Sequence, residues 1–308
     1  MLEEFYAPEG ALLDTEENRA RTASPAALAR AQLRGEVAEG VAVRCHDDRS
    51  LSVQFNGFTG IIPREEGAMG IREGKTRDVA ILSRVGKPVC AVVTGFDGET
   101  PLLSRRLAQE SSLIRLLQDL RPGRVLPARV THLERFGAFL DLGRGVTSFL
   151  GLEAISVSRI AHAADRFAPG QDIFVAVKAV ERGEKRIYLT HRELLGTWAE
   201  NAAAFPAGTA VRGVVRTVEP YGVFVELAPN LSGLAEPRPE LRPGTAVSVF
   251  IKSVQPGRMK IKLSVLDVLG EQGPQPLRRG DYYITGGTLT HWRYSPPECE
   301  SKVIETWF

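Results

Sequence analysis

The sequence predicts a mainly β protein: three tandem five-stranded barrels joined by short helical linkers, with an N-terminal extension and a C-terminal β-hairpin tail. Three observations carry this. A unit of about 70 residues is used twice and, in weaker form, a third time. Each unit reads as about five short strands, with alternating apolar residues and turn signals between them. Helical stretches separate the units. Five strands in so short a segment suit a closed or nearly closed barrel, because closure removes exposed edges.

Residues 1–33 form the extension. Residues 1–23 are acidic and polar, carry Pro8 and Gly10, show no sustained period, and read as an extended or flexible lead. Ser24-Pro25 reads as an N-cap followed by proline at the first helical position, opening a short helix through Leu33 that Gly35 ends. Residues 34–106 are the weakest copy: Gly86, the alternating Val89, Ala91 and Val93, and Leu103-Ser104 mark its frame. A helical linker, 107–120, carries Leu107, Ile114, Leu116, Leu117 and Leu120. The second unit, 121–190, aligns with the third, 207–266, across a second linker at 191–206 that holds Leu194, Leu195 and Trp198. In that alignment Val130 falls on Val215, Leu142 on Leu227, Pro169-Gly170 on Pro243-Gly244, and Val175 on Val249. Both units close on a basic strand: Lys185 to Thr190 in one, Arg258 to Ser264 in the other. Ser156 to His162 is an insertion in the second unit, either a longer connection or an extra wall beside a ligand groove, with Arg159 and Arg166 as contacts. The tail, 267–308, reads as a hairpin over Tyr282–Trp292 with a Gly286-Gly287 turn. Its aromatic load suits packing onto the third barrel or docking of a protein partner.

The OB-fold is the barrel that five such strands describe, and its second and third strands form an oligonucleotide-binding face. The stretch most expressive of function lies there. Phe136-Gly137-Ala138-Phe139 recurs 85 positions later as Tyr221-Gly222-Val223-Phe224. Residues three apart on a plain strand face opposite ways, and a glycine permits a bulge that brings both rings to one side. Two exposed rings on one face make a platform for unpaired bases. The first unit reads Asp47-Asp48-Arg49-Ser50-Leu51 at this place, so it keeps the frame and lacks the platform.

Charge distribution agrees. The net charge is only +2 over 308 residues, yet residues 121–193 hold 12 basic and 8 acidic side chains, and residues 207–266 hold 8 and 4. The positive excess lies in the two segments with the aromatic pairs, which points to a polyanion. Lys185, Arg186, Lys260 and Lys262 are the expected phosphate contacts. Three unpatterned cysteines make a disulfide framework unexpected and a reducing cytoplasm the default. Met1–Phe5 lacks the basic and apolar regions of a signal peptide, and no apolar run is long enough for a membrane span. The five histidines fall at no metal-ligand spacing and read as surface or linker residues. No nucleophile or carboxylate cluster suggests catalysis, so neither a catalytic site, nor a metal, nor a cofactor is expected.

With these motifs in view (Gly-x-Val at the start, aromatic-Gly-x-Phe in strand two, Pro-Gly before strand four, a basic strand ending Leu-Ser or Leu-Thr), the unit resembles the RNA-binding domain of ribosomal protein S-one. That family brings messenger RNA to the small ribosomal subunit of bacteria. The resemblance covers about residues 34–266 and is similar to a short three-repeat form. It implies base stacking by Phe136, Phe139, Tyr221 and Phe224, and phosphate contact by Arg186 and Lys260. The acidic residue of the family falls on Glu181 and is replaced by Gln255 in the third unit. The strand-three histidine of the family is absent, with Gly151 or a neighbour, Glu236 and Pro63 in its place. By analogy, residues 1–106 would dock on the small subunit. The sequence thus favours a non-enzymatic, cytoplasmic protein that holds single-stranded RNA, specifically mRNA, in translation. The rivals are an RNA-binding accessory factor in RNA decay or transcription, and a protein-interaction scaffold with buried aromatics.

Overall fold

A computed structural model describes residues 6–273 and 275–308. Met1–Phe5, on which the signal-peptide expectation rests, lies outside the described residues. Three five-stranded barrels succeed one another, two closed and the middle one an open sheet, so the mainly β tandem-barrel prediction holds. The chain divides into two compact units. One runs to Asp119 and includes Asp141–Thr147; the other comprises Leu120–Leu140 and Ser148–Phe308.

The first unit begins with two helices, α1 (Glu16–Arg21) and α2 (Pro25–Leu33). Thr15 and Ser24 cap them, each hydroxyl accepting a backbone N–H, from Asn18 and Ala27, at 3.2 Å. The first barrel follows: β1 (Val37–Cys45), β2 (Leu51–Gln54), β3 (Thr59–Ile62), a short helix α3 (Val79–Leu82), β4 (Pro88–Asp97) and β5 (Thr100–Ser104). The order β1-β2-β3-β5-β4 closes through the parallel pair Ile61↔Leu102 and the antiparallel β1–β4 ladder. Leu51, Val53, Ile62, Val89 and Leu103 fill the interior, and Leu28 of α2 packs with them. Each such burial contributes about 1.5–3 kcal/mol. Helix α4 (Arg105–Asp119) then continues directly from β5.

Residues 6–23, expected as part of an extended or flexible lead, carry α1 and are anchored to the barrel. Glu9 is buried and accepts two hydrogen bonds from Arg105, at 2.6 and 2.7 Å, with Arg84 at 3.3 Å. Burial pushes the Glu9 carboxyl up, but the two guanidiniums pull it further down and it lies below its ordinary value. The Glu9 backbone N–H donates to Asp141 at 2.8 Å, and Asn18 is buried against the Glu39 backbone. An acidic side chain anchors this lead because a buried cation faces it.

The second unit holds the other barrels. The middle one comprises β6 (Val125–Glu134), β7 (Gly137–Asp141), β8 (Thr147–Gly151), β9 (Asp172–Glu181) and β10 (Arg186–Thr190), in the order β10-β9-β6-β7-β8. A 3-10 turn at Arg192–Leu195 and the short helix α5 (Trp198–Ala202), capped by Thr197, make the linker. The third barrel comprises β11 (Ala210–Glu219), β12 (Gly222–Ala228), β13 (Leu231–Ala235), β14 (Thr245–Gln255) and β15 (Lys260–Glu271). It closes in the order of the first, with Leu234↔Lys262 as its parallel pair. Val215, Val225, Val249 and Leu263 form its core, joined by Trp198 of α5 and by Trp292 and Tyr294 of the tail.

Three sequence expectations are corrected in this unit. The tail does contain a two-stranded ribbon, but its strands are β16 (His291–Arg293) and β17 (Glu305–Trp307). Gly287 instead accepts from Val125 N–H at 3.0 Å, while Leu289 N–H donates to Gly123 O at 2.9 Å, so this stretch pairs with the start of β6. His191, at the start of the second linker, is fully buried where an exposed histidine is expected. It contacts Ile155 O at 2.6 Å and the Tyr282 hydroxyl at 2.9 Å. The Ile155 carbonyl can only accept, so Nδ1 carries the proton and Nε2 accepts from Tyr282. Burial lowers the His191 pKa to about 4. Arg166, expected beside a ligand groove, is buried and bonds Glu226 across the second and third barrels. Arg216 joins the same pair, reaching Glu226 at 2.9 Å and Asp165 at 3.1 Å. This network ties the two barrels together.

Candidate nucleic-acid interface

The aromatic stretch begins in a turn and runs into the second strand of each barrel. Phe136 sits in the turn before β7 and Phe139 within it; Tyr221 and Phe224 hold the same places at β12. Phe136 is 59% exposed and Tyr221 66%, whereas Phe139 and Phe224 are half-buried. The Tyr221 and Phe224 rings stand edge to face, with centroids 6.2 Å apart. Both rings are thus on one side, but the cause differs from the bulge expected at the glycine. In the third barrel the register shift lies on the partner strand, where Arg216 is the extra residue between Val215↔Val225 and Thr217↔Phe224. The glycine instead admits close backbone approach. A Cβ on Gly222 would meet Ala235 O at 2.7 Å, and one on Gly137, whose φ is +156°, would clash with Leu150 O and the Phe149 ring.

The middle barrel carries more rings than the repeat suggested. Phe149 of β8, 38% exposed, lies 5.4 Å from Phe136 and 5.3 Å from Phe139 between ring centroids. His132 of β6 stacks on Phe139 at 6.4 Å with planes 28° apart. Tyr188 of β10 is exposed and donates to Glu181 at 3.2 Å. None of these was singled out from sequence, because each occurs in one unit only. For Phe149 and Tyr188 the available signal was an aromatic at the position alternating with an apolar residue, Leu150 and Leu189 respectively.

The basic closing strands stand as their pattern requires. In β15, Lys260 and Lys262 are exposed and Ile261 and Leu263 buried. In β10, Arg186 and Tyr188 are exposed and Ile187 and Leu189 buried. Lys185 occupies the turn just before, with φ +55°. Arg186 pairs with Glu184 at 3.0 Å in open solvent, where water and salt screen the pair. Glu236, at the place of the family histidine, pairs with Lys252 at 2.8 Å.

The first barrel shows what replaces the rings. Its register shift on β1, between Ala42 and Arg44, matches the one on β11. Through that register Ser52 stands where Phe224 stands, and it bonds His46 at 2.7 Å. Arg49 takes the place of Tyr221, in an ion pair with Asp78 at 3.8 Å. Phe55 and Phe58 stack on each other at 5.3 Å, and both pack in the barrel core cluster.

Tandem OB barrels with exposed rings on the strand-two face have the build of single-strand nucleic-acid binders. Residues 119–192 match the S1 RNA binding domain family. Among curated proteins the chain is 30% identical over 250 residues to small ribosomal subunit protein bS1 of Leuconostoc lactis, covering 75% of this chain and 56% of that one. It is 30% identical over 180 residues to the bS1 of Staphylococcus aureus (strain COL), covering 53% and 46%. It is 29% identical over 201 residues to the bS1 homolog of Bacillus subtilis (strain 168), covering 59% and 52%. Residues 119–192 are thus an S1 RNA binding domain, and over three quarters of its length the chain is similar to ribosomal S1 proteins. It spans about half the length of these curated relatives.

Proposed function

We propose that this chain is a non-enzymatic protein that binds single-stranded RNA and holds mRNA at the small ribosomal subunit in the bacterial cytoplasm. One observation carries the reading: two successive barrels present exposed rings on the same strand-two face, beside a basic closing strand. The rings Phe136, Phe139, Tyr221 and Phe224 would stack on bases, at roughly 1–3 kcal/mol per base and with little sequence preference. Lys185, Arg186, Lys260 and Lys262 would neutralise phosphates. Two modest sites on one chain raise each other's effective concentration, so the pair holds RNA that one barrel releases. The first barrel, with Ser52 and Arg49 in the ring positions, is left for docking, and residues 1–106 are the segment proposed to meet the subunit. Its relatives' names, small ribosomal subunit protein, support that partner. Among the described residues no helix is long and apolar enough to cross a membrane.

The test is twofold. Anisotropy titration with a labelled oligouridylate is expected to show salt-sensitive binding. Sedimentation with small ribosomal subunits should carry the protein into the subunit fraction. RNA binding without co-sedimentation would point to RNA decay or transcription instead; no RNA binding at all would point to a scaffold.

A further inference from the structure

The third barrel's ring face is bounded by parts of the chain outside that barrel. A groove of about 430 Å³ has Tyr221, Phe224 and Lys260 along it. That volume lies in the range of small-ligand sites, about 300–1,000 Å³. Val157, Ser158 and Arg159, from the insertion that follows β8, line the groove. Tyr294, Lys302 and Ile304 of the tail line it as well.

Both segments are fixed to the barrel. Val157 N–H donates to Asn230 Oδ1 at 2.9 Å, and the Ser158 and Ser232 hydroxyls meet at 3.0 Å. Asn230 itself is buried and donates to Arg192 O and Gly196 O. On the tail side, Tyr294 donates to Asn230 O, and its carbonyl accepts from Trp198 N–H at 3.0 Å. Ser295 fastens the returning tail, donating to Lys302 O and accepting from Ile304 N–H, both at 2.8 Å. Val157 and Ile304 pack against the barrel core, whereas Arg159 and Lys302 are exposed. The charge at the groove is lopsided: Arg159, Arg258, Lys260 and Lys302 face one carboxylate, Glu219, with Arg216 engaged by Glu226 and Asp165.

We infer that the RNA site of the third barrel is composite. The insertion 156–162 of the second barrel and the tail loop Tyr294–Ile304 line it, and Arg159 and Lys302 are phosphate contacts for the strand whose base stacks on Tyr221 and Phe224. Exposed rings, apolar lining and exposed cations match the parts of one nucleotide in a single strand: a flat base and its neighbouring phosphates. The rigid fastening of both segments means that the groove exists before RNA arrives, so little ordering opposes binding. The inference rests on the reading of the chain as a single-strand RNA binder.

Its test uses the full chain and labelled oligouridylate, with Arg159→Ala, Lys302→Ala, the double variant, and Tyr221→Ala with Phe224→Ala. Arg159 and Lys302 are exposed, so circular dichroism and thermal midpoint should match the parent. The double variant is expected to weaken binding about fivefold or more at moderate salt. Two lost phosphate contacts should flatten the slope of log K against log salt by about 1.4, at ~0.7 per contact on single strands. If the parent binds and the Tyr221/Phe224 variant is weakened, but the Arg159/Lys302 variant keeps affinity and slope, the composite site is wrong and the general reading stands. If the parent binds no RNA, the general reading fails first.

Discussion

Replacing both Phe136 and Phe139 with alanine separates stacking from folding in the middle barrel. Phe136 is 59% exposed, and Phe139 is half-buried and touches Phe149 and His132 at the surface of the sheet. Neither ring is in the barrel interior, where Val130, Leu140 and Val175 are fully buried. The stability cost should therefore be small, on the order of 1 kcal/mol for the partial burial lost at Phe139. Binding should suffer more. Two lost stacks at the lower bound of ~1 kcal/mol each already amount to about thirtyfold. The loss of one of two linked sites adds to this. The assay is anisotropy of a labelled oligouridylate at fixed salt, with circular dichroism and a melt on the same samples. A drop of about thirtyfold or more with an unchanged spectrum is expected. Unchanged affinity with an intact spectrum would refute base stacking on this barrel.

Alanine at Lys185, Arg186, Lys260 and Lys262 together should reduce the salt slope of binding by about 2.8, at ~0.7 per contact; an unchanged slope would remove these side chains from the phosphate path. Gly137→Ala should cost more than about 2 kcal/mol, since its Cβ would strike Leu150 O and the Phe149 ring at a positive φ; a thermal melt reads this, and an unshifted midpoint would contradict the close approach. His191 is neutral in the fold, with its pKa lowered from 6.5 to about 4. The unfolded chain takes up that proton first, so the stabilisation is full above about pH 6.5 and is lost as pH falls toward 4, by up to roughly 3 kcal/mol. Urea unfolding of His191→Gln between those pH values should show a flatter acid limb than the parent; equal limbs would show that His191 does not titrate this way.

Periodicity and repetition made the barrels legible. Val175 and Val249, or Ile187 and Ile261, are inward residues of matching strands, and alternation is a local property of the chain. The ring face was legible for the same reason, since Phe136 and Tyr221 recur in register. Features present once were not. Phe149 aligns with no second aromatic and His132 aligns with Thr217, so neither belongs to the repeated pattern. Long-range pairs were also hidden. Glu9 sits in a polar lead with no period, and its place is set by Arg105, 96 positions away. Gly286-Gly287 has the composition of a hairpin turn, yet neighbouring backbone groups pair with β6, a choice made by the sheet edge available to them. His191 looked like an exposed residue because burial by Phe167 and Tyr282 comes from distant sequence.

The most direct test is to cross-link a 4-thiouridine oligonucleotide to the full chain with long-wave ultraviolet light and map the modified peptides by mass spectrometry. Adducts are expected on the ring faces that hold Phe136, Phe139 and Phe149 and that hold Tyr221 and Phe224, with none on β1 to β5. Adducts concentrated on the first barrel, or absent from both ring faces while RNA binds, would contradict RNA binding at these faces.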